Sequence, residues 1–386
     1  MVCSVLRDRP KGTRLSAGYK MPGEQRKTVL VTGGAGFIGS HCIYELLLAD
    51  YRVVALDNFV NAISDPNEKA VSLQRVEQLT GKEIHFHCVD IVTEKEKLKD
   101  LFRQYDIDCV LHMAALKAVG ESVRQPLKYY HTNLVGALNL LDAMSENCVK
   151  NIVFCSSATV YGPPKFLPLT EEHVTGEGIT NPHGETKYMT ERFLSDICKA
   201  DPEWNVVVLR YFNPVGAHPS GRIGENPKGI PNNLMPFVAQ VAVGKFPCVK
   251  VFGTDYDTKD GTGERDYIHI VDLAKGHVAA LRKLEEENLG FKAYNLGTGI
   301  GVSVLEIIST FEKVTDVKIP HTLEGRRPGD VAVLCCDPSK AEKELNWKAE
   351  LSLEDMCRDL WNWQNQNPDG YLKAHAPHAD EWSNRY

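Results

Sequence analysis

The feature that most constrains the fold is a short apolar run that ends in a cluster of glycines. Residues 28–40 read TVLVTGGAGFIGS, so a β-branched run leads directly into Gly34-x-Gly36-x-x-Gly39, and Gly33 provides a second glycine spacing. Glycine suits such a turn because the chain bends sharply and its backbone must come close to a pyrophosphate. The helix that follows directs its amino end at that anion. The pattern predicts a dinucleotide-binding turn between a first strand and a first helix.

An acidic residue follows these glycines at the spacing of a dinucleotide site. Asp57 lies 18 residues after Gly39, at the end of the next β-branched run. A carboxylate there suits the ribose hydroxyls of NAD and repels the additional phosphate of NADP. The alternative is a structural glycine turn in which Asp57 caps a helix. The strand–turn–helix context favours the cofactor, so we predict NAD.

β-branched runs alternate with helical patterns along the first half of the chain. This alternation predicts an α/β fold with a doubly wound, mostly parallel sheet. The candidate strands are residues 28–32, 52–56, 84–88, 109–113, 151–155 and 206–211. Beyond Asn213 the sequence becomes rich in glycine and proline, which predicts a smaller C-terminal lobe. We expect a cofactor-binding domain at 27–213 and a second lobe at 214–386, part of which returns to the first domain.

Composition limits the partners of the chain. Its 386 residues carry a net charge of −7 with no basic stripe, so we expect no nucleic-acid partner. No apolar run reaches the roughly 18 residues of a membrane span, and the scattered cysteines lack zinc-type spacing, so we expect neither membrane nor metal. Residues 1–26 are basic without the apolar centre of a secretory signal. We interpret them as the disordered tail of a cytoplasmic protein.

Further candidate cofactor contacts follow the third and fourth predicted strands. Asp90 and Ile91 follow the third, where an acid can meet an adenine amino group. The fourth leads into HMAALKAVGES, in which the small Ala114 and Ala115 allow a cofactor to lie against the backbone. Lys117 can reach a nicotinamide ribose or a phosphate. Alternatively, it is a solvated surface lysine.

A second group of polar residues predicts the place of chemistry. Ser157 and Thr159 follow the fifth predicted strand, at the edge where a doubly wound sheet faces its ligand. His183 and Lys187 are four residues apart in NPHGETKYMTE, so they share one face of a helix. A serine, a titratable ring and a lysine near a nicotinamide suit removal of a proton from an alcohol while hydride leaves its carbon.

Several longer strings resemble the UDP-glucose 4-epimerases, a family in the extended branch of the short-chain dehydrogenase/reductases. They are TGGAGFIG, HMAALKAVGES, SSATVYG, RYFNPVGAHPSG, GIPNNLMP, GTGERDYIHIVDLA, YNLGTG and RRPGD, in the family's order over roughly residues 27–370. The resemblance implies tightly held NAD and interconversion of UDP-galactose and UDP-glucose. Hydride would pass from sugar C4 to NAD, the 4-keto sugar would rotate, and hydride would return to its other face. A homodimer with a UDP-sugar-binding C-terminal lobe is also implied.

The resemblance implies roles for individual residues. Ser157 would hydrogen-bond the sugar 4-hydroxyl with help from Thr159, and Lys187 would hold the nicotinamide ribose and supply positive potential. The complete set of predicted cofactor contacts is Gly33, Gly34, Gly36, Phe37, Ile38, Gly39, Asp57, Asn58, Asp90, Ile91, Ala114, Ala115, Lys117, Asn133, Ser156, Lys187, Tyr211 and Phe212. The predicted substrate contacts are Ser157, Asn213, Asn233, Leu234, Lys250, Val251, Phe252, Arg265, Arg327 and Asp330. Two arginines suit a diphosphate because their donors match clustered anionic oxygens.

The chain departs from the family at His183, which stands where the family has its catalytic tyrosine. Lys187 and the nicotinamide cation would lower the pKa of His183 below its usual value of about 6.5, and neutral imidazole can accept a proton. An imidazole nitrogen lies nearer its backbone than a phenol oxygen, so a water or Ser157 would relay the proton. Leu334 occupies a position where cysteine accompanies a roomy sugar pocket and tyrosine a tight one. Leucine does not decide whether N-acetylated sugars are accepted, and the run VLCCD at 333–337, which includes Leu334, also differs from relatives.

Two other functions stay open at this point. One is a dehydratase or decarboxylase of the same extended family, although a dehydratase needs an acid beside its serine and Ala158 follows Ser157. The other is a catalytically weakened or inactive NAD and UDP-sugar binding protein. Intact Arg265 and Arg327 beside an altered His183 would fit that alternative.

Overall fold

The computed structural model describes residues 26–62, 69–327 and 330–371, so the predicted tail lies outside the described residues except for Arg26. The strands are β1 Thr28–Thr32, β2 Arg52–Asp57, β3 His85–Cys88, β4 Cys109–His112, β5 Asn151–Ser157, β6 Asn205–Tyr211, β7 Asn213–Val215, β8 Val249–Phe252, β9 Glu264–His269, β10 Phe291–Leu296, β11 Gly301–Ser303, β12 His321–Glu324 and β13 Val333–Leu334.

The helices are α1 Phe37–Leu48, α2 Val71–Thr80, α3 Lys95–Gln104, α4 Val119–Arg124, α5 Pro126–Tyr130, α6 Gly136–Glu146, α7 Pro182–Ala200, α8 Leu234–Ala242, α9 Ile270–Glu286, α10 Val304–Thr315, α11 Ser339–Leu345 and α12 Leu353–Gln366. A π-helical turn at His131–Val135 joins α5 to α6, and a 3₁₀ turn at Ala158–Tyr161 follows β5.

The large sheet positions the candidate site. Within the described residues it contains seven parallel strands in the order β10-β6-β5-β4-β1-β2-β3. Val29 and Val31 of β1 pack into one hydrophobic core, whereas Leu30 packs into another on the opposite face. Helices cover both faces, which confirms the predicted doubly wound fold. Strand order reverses between β1 and β4, and ligands bind at the carboxyl edge beside such a reversal.

One strand of this sheet is not among the predicted six. β10 pairs in parallel with β6 and lies at the edge of the sheet. Lys292 and Asn295 interrupt its apolar run, which obscures the pattern of a buried strand. Asn295 is nevertheless fully buried. Its amide tolerates burial because it accepts a hydrogen bond from Tyr161 Oη and donates one to Leu169 O. Part of the chain beyond residue 213 thus returns to the large sheet.

The remaining strands form two small sheets. β9 pairs with β7, β11 and β13, and β8 pairs with β12. A third hydrophobic core, which includes Met235, Phe311 and Trp363, packs α8, α10 and α12 together. No described helix is both long and apolar enough to cross a membrane.

Candidate active site

The glycine turn after β1 is shaped for close approach of a ligand. Gly33 has a φ of 71°, and a Cβ atom on it would lie 2.9 Å from Ala114 N. A Cβ atom on Gly39 would lie 2.2 Å from Gly33 O, so neither position accepts a side chain. Phe37 and Ile38 open α1, whose first turn has no side-chain cap within the described structure. The turn and the helix N-terminus therefore fit the pyrophosphate of a dinucleotide.

Acidic and amide side chains lie together beyond β2. Asp57 ends that strand and accepts hydrogen bonds from Ala35 N at 3.1 Å and Phe59 N at 2.9 Å. Its burial raises the pKa of the carboxyl group. Asn58 donates from Nδ2 to Asp90 Oδ2 at 2.9 Å. Asp57 therefore lies against the glycine turn, Asn58 and Asp90 are joined beyond it, and Ile91 is buried just after Asp90.

The loop after β4 is tied to α7 by Asn133. Leu116 N donates to Asn133 Oδ1 at 2.9 Å, and Asn133 Nδ2 donates to Leu116 O at 3.1 Å and Thr186 Oγ1 at 2.9 Å. Asn133 lies in the π-helical turn, a geometry that often occurs at functional sites. Ala114, followed by Ala115, donates its N–H to Thr32 Oγ1 at 3.1 Å. Asn133 thereby orders the loop that borders the glycine turn.

Lys117 forms an ion pair with Glu225, which is not among the predicted site residues. Its Nζ lies 2.8 Å from Glu225 Oε1, and Asn233 Nδ2 lies 3.4 Å from the same oxygen. The Glu225 side chain is only 9% exposed. The two chain segments are more than 100 residues apart, so no local pattern pointed to this contact.

Ser157 and Thr159 form a hydroxyl pair at the carboxyl end of β5. Ser157 Oγ accepts hydrogen bonds from Thr159 N at 3.2 Å and from Thr159 Oγ1 at 2.9 Å. The Ser157 oxygen thus receives two donors, which favours donation of its own proton to a third group. A sugar oxygen is a suitable acceptor for that proton.

His183 lies at the tightly packed start of α7. Asn181 caps the helix by accepting a hydrogen bond from Gly184 N at 2.9 Å, and Pro182 occupies the first turn. A Cβ atom on Gly184 would lie 3.2 Å from Thr159 Cβ, so the helix start packs against the hydroxyl pair. His183 is 6% exposed, and its Nδ1 atom has no hydrogen-bond partner among the described residues.

Burial and nearby positive charge keep His183 neutral. Burial is the larger effect, and together with the cations of Lys187 and Lys117 it lowers the pKa of His183 from 6.5 to about 3. The imidazole is therefore uncharged at neutral pH. The ring nitrogen can accept a proton, but with this pKa it is a weak base and does not titrate near pH 7.

Lys187 lies one helical turn after His183 and is also buried. Its Nζ donates to Cys155 O at 2.6 Å and lies 4.9 Å from the ring centroid of Phe154. Burial lowers the pKa of Lys187 from 10.5 to about 8. The ammonium group thus donates to a neutral carbonyl oxygen and lies near a neutral ring, and neither contact cancels its charge. Its positive potential is therefore largely available to a bound ligand.

The candidate diphosphate residues converge beside β9. Arg327 Nε donates to Asp330 Oδ2 at 2.9 Å, and Arg265 Nη2 lies 3.8 Å from Asp330 Oδ1. The Arg327 guanidinium lies 4.9 Å from the ring centroid of Phe252. Asn213 of β7 donates to Asp266 O of β9 at 2.9 Å. The structure therefore brings Arg265, Arg327, Asp330 and Phe252, which are far apart in sequence, close to one another.

Other predicted contacts have more restricted positions. Val251 is fully buried in the C-terminal core, so only its backbone is placed to meet a ligand, whereas Lys250 is exposed. Leu234 is the first residue of α8. The hydroxyl of Tyr211 is hydrogen-bonded to His277 Nε2 at 2.5 Å.

Phe212 and Leu334 belong to one apolar cluster beside β5. Phe212 is buried with Ala158 and Cys336, and Leu334 packs against the same cluster. Leu334 is also the register partner of Arg265. Leu334, whose side-chain size is expected to affect which sugars are accepted, therefore lies beside Arg265, which is predicted to bind diphosphate.

Comparisons with known proteins agree with this geometry. The family model described as GDP-mannose 4,6 dehydratase matches residues 30–360. The chain is 57% identical over 346 residues to UDP-glucose 4-epimerase of Caenorhabditis elegans, with 89% of this chain and 99% of that protein covered. It is 56% identical over 343 residues to the human enzyme of the same name, with 89% and 98% covered.

A solved structure shows the same fold at a similar level of identity. It is UDP-glucose 4-epimerase from Bifidobacterium longum in complex with NAD⁺ and UDP, which superposes with a TM-score of 0.84 at 54% identity. The match covers 89% of this chain and all of that one. On these grounds, the chain belongs to the UDP-glucose 4-epimerase family.

Proposed function

We propose that this protein is an isomerase that uses NAD to interconvert UDP-galactose and UDP-glucose. The observation that carries the proposal is the arrangement at the carboxyl edge of one sheet. The glycine turn, Asp57, the Ser157 hydroxyl and the buried Lys187 lie there together, in a chain more than half identical to epimerases. Binding of NAD would supply a hydride acceptor for sugar C4.

The residues of the chain have distinct parts in this reaction. Asp57 would accept hydrogen bonds from the adenosine ribose, and Lys187 would donate to the nicotinamide ribose. Ser157 would donate to the sugar 4-oxygen, because Thr159 already donates twice to Ser157 Oγ. The neutral imidazole of His183 would take the proton of the sugar 4-hydroxyl through a bridging water and later return it. Arg265 and Arg327 would bind the diphosphate.

The inactive binding protein considered in the sequence analysis is not favoured by the comparisons. That alternative depends on the replacement of the family's tyrosine by His183. Histidine still provides a proton acceptor at the same helix position. We infer an active epimerase whose rate is set by how well imidazole replaces phenolate. A dehydratase is disfavoured because Ala158, next to Ser157, is buried and provides no acid.

The proposal predicts that purified protein converts UDP-galactose into UDP-glucose without added reductant. Product can be followed by proton NMR of the sugar anomeric signal, and bound NAD can be assayed after acid release. The expected result is slow but complete approach to the equilibrium mixture of the two sugars. Protein that retains NAD and binds UDP but forms no UDP-glucose would contradict the proposal.

We further propose that the protein works as a cytoplasmic homodimer, the state that the family resemblance implies. Three large apolar side chains on adjacent short helices support a protein contact. Val119 and Val123 of α4 and Leu127 of α5 are 44%, 58% and 81% exposed. Such a cluster of exposed apolar groups is typical of an interaction surface.

Leu127→Glu is expected to convert the dimer to a monomer. The substitution would place a charge in the apolar contact, where it would lose its hydration. Sedimentation velocity at micromolar concentration gives the mass directly. Leu323→Glu, which changes a leucine that is 60% exposed on β12, is the matched control and should leave the dimer intact. A Leu127→Glu protein that stays dimeric would place the interface elsewhere.

A further inference from the structure

A buried ion pair lies at the face of the large sheet that α7 covers. Arg210 of β6 donates from Nε to Glu191 Oε1 at 3.2 Å and from Nη2 to Glu191 Oε2 at 2.8 Å. The two side chains are 6% and 5% exposed. This two-point contact fixes the relative orientation of the groups as well as their distance. The binding and proton-transfer steps described above use neither residue.

Glu191 joins three elements of the active site. It lies on α7, and its Oε1 atom also accepts a hydrogen bond from Ser156 Oγ at 2.5 Å. Ser156 of β5 is the register partner of Arg210 on β6 and directly precedes Ser157. Glu191 follows Lys187 by one helical turn and His183 by two, so all three share one helix face. One carboxylate thereby links the helix of His183 and Lys187 to the strand of Ser157.

The same network continues into the segment after Ser157. Arg210 Nη1 donates to Tyr161 Oη at 3.0 Å, and Tyr161 donates to Asn295 Oδ1 at 2.6 Å. Asn295 Nδ2 donates in turn to Leu169 O at 2.9 Å. The contacts therefore also hold the 3₁₀ turn that carries Thr159 and the chain that leads back to α7.

Stability alone gives little reason for such a pair, because apolar residues of similar volume often replace a buried ion pair without loss of stability. Its contacts instead define one geometry. We propose that Glu191, oriented by Arg210, is a positioning residue that fixes the His183 and Lys187 face of α7 against the Ser157 end of β5. This inference rests on the proposed epimerase function.

Ser156→Ala tests the link with the smallest change in structure. It removes one hydroxyl and leaves both charges of the pair in place. Displacement of reacting groups by about 1 Å can cost on the order of 10²-fold in rate. Although Ser156 is among the predicted cofactor contacts, its hydroxyl proton is donated to Glu191 and is not available to NAD. We expect kcat to fall by about 10-fold or more, with KM changed less than about threefold and the NAD content unchanged.

The double variant Glu191→Leu with Arg210→Met removes both charges together and fills their space with apolar side chains of similar volume. It should lower kcat while KM and the NAD content stay close to wild type, because neither residue contacts the bound groups. A residue needed only for folding would lower the thermal unfolding midpoint without this difference between kcat and KM.

The matched control is Asp272→Ala. Asp272 is 1% exposed and accepts hydrogen bonds from Glu350 N and Leu351 N at 2.9 and 2.8 Å, away from the site. Its loss should lower the thermal unfolding midpoint without changing kcat or KM.

The outcomes separate this inference from the proposed function. A lower kcat with near-normal KM in Ser156→Ala supports positioning, even if the double variant does not fold. Wild-type kcat in Ser156→Ala would overturn it. Wild-type protein without turnover would overturn the proposed function and this inference with it, whereas active wild type with an unaffected Ser156→Ala would overturn this inference alone.

Discussion

His183→Phe is expected to lower kcat for conversion of UDP-galactose by about 10²-fold, the lower end of the usual contribution of a positioned acid–base group, because a pKa of about 3 makes this imidazole a weak base. Phenylalanine fills the buried site at the start of α7 but carries no nitrogen to accept a proton. Thermal unfolding should change little, because Nδ1 of His183 has no hydrogen-bond partner to lose among the described residues. The loss should therefore appear in kcat while bound NAD and KM stay close to wild type.

The control for this variant is His85→Phe, at the amino end of β3 and thus at the opposite edge of the sheet. It should keep wild-type kcat. Equal rates for His183→Phe and wild type would show that another group takes the proton, and would remove His183 from the mechanism.

Activity is expected to fall as the pH rises through about 8, because Lys187 must carry its proton to supply positive potential. The pKa of Lys187 is lowered by burial from 10.5 to about 8, so the ammonium form predominates below pH 8 and is lost above it. His183, with a pKa of about 3, stays neutral and produces no acid limb near neutral pH. The profile of kcat should be flat from about pH 5.5 to 7 and then decline.

Lys187→Met should lower kcat by about 10²–10³-fold, similar to the loss of one preorganised donor, and should remove the alkaline limb from the remaining activity. Unfolding does not account for such a limb. At pH values between the folded and the unfolded pKa of Lys187, the unfolded chain binds more protons than the folded protein. The contribution of this group to the free energy of unfolding therefore increases as the pH rises. Lys199→Met, at the exposed end of α7, is the matched control. An alkaline limb that persists in Lys187→Met would assign it to another residue.

The parts of the site that could be predicted from the sequence depend on local chemistry. The glycine turn can be recognised without a distant partner, because its glycine spacing and the apolar run before it lie within residues 28–40. The placement of His183 and Lys187 on one helix face follows from their spacing alone. Asp57 can be predicted for a similar reason, since its spacing from Gly39 and its place at the end of the next β-branched run are visible in the sequence.

The parts that could not be predicted depend on long-range contacts. Glu225 pairs with Lys117 across 108 residues, and Arg210 meets Glu191 only because α7 packs on β6. The size of the pKa shift of His183 also depends on packing between distant parts of the chain. The spacing of Lys187 from His183 predicts a lowered pKa for the histidine. The dominant cause of the lowered pKa is burial, however, and burial arises from packing of the helix start against Thr159.

The most direct test of the account compares wild type with His183→Tyr in one assay that couples UDP-glucose formation to NADH production. The account predicts measurable turnover by wild type with no acid limb near neutral pH. In His183→Tyr it predicts equal or faster turnover with a new acid limb, because a phenol must lose its proton to act as base. A wild-type protein without turnover beside a freely active His183→Tyr would contradict the account and show that His183 has ended catalysis in this chain.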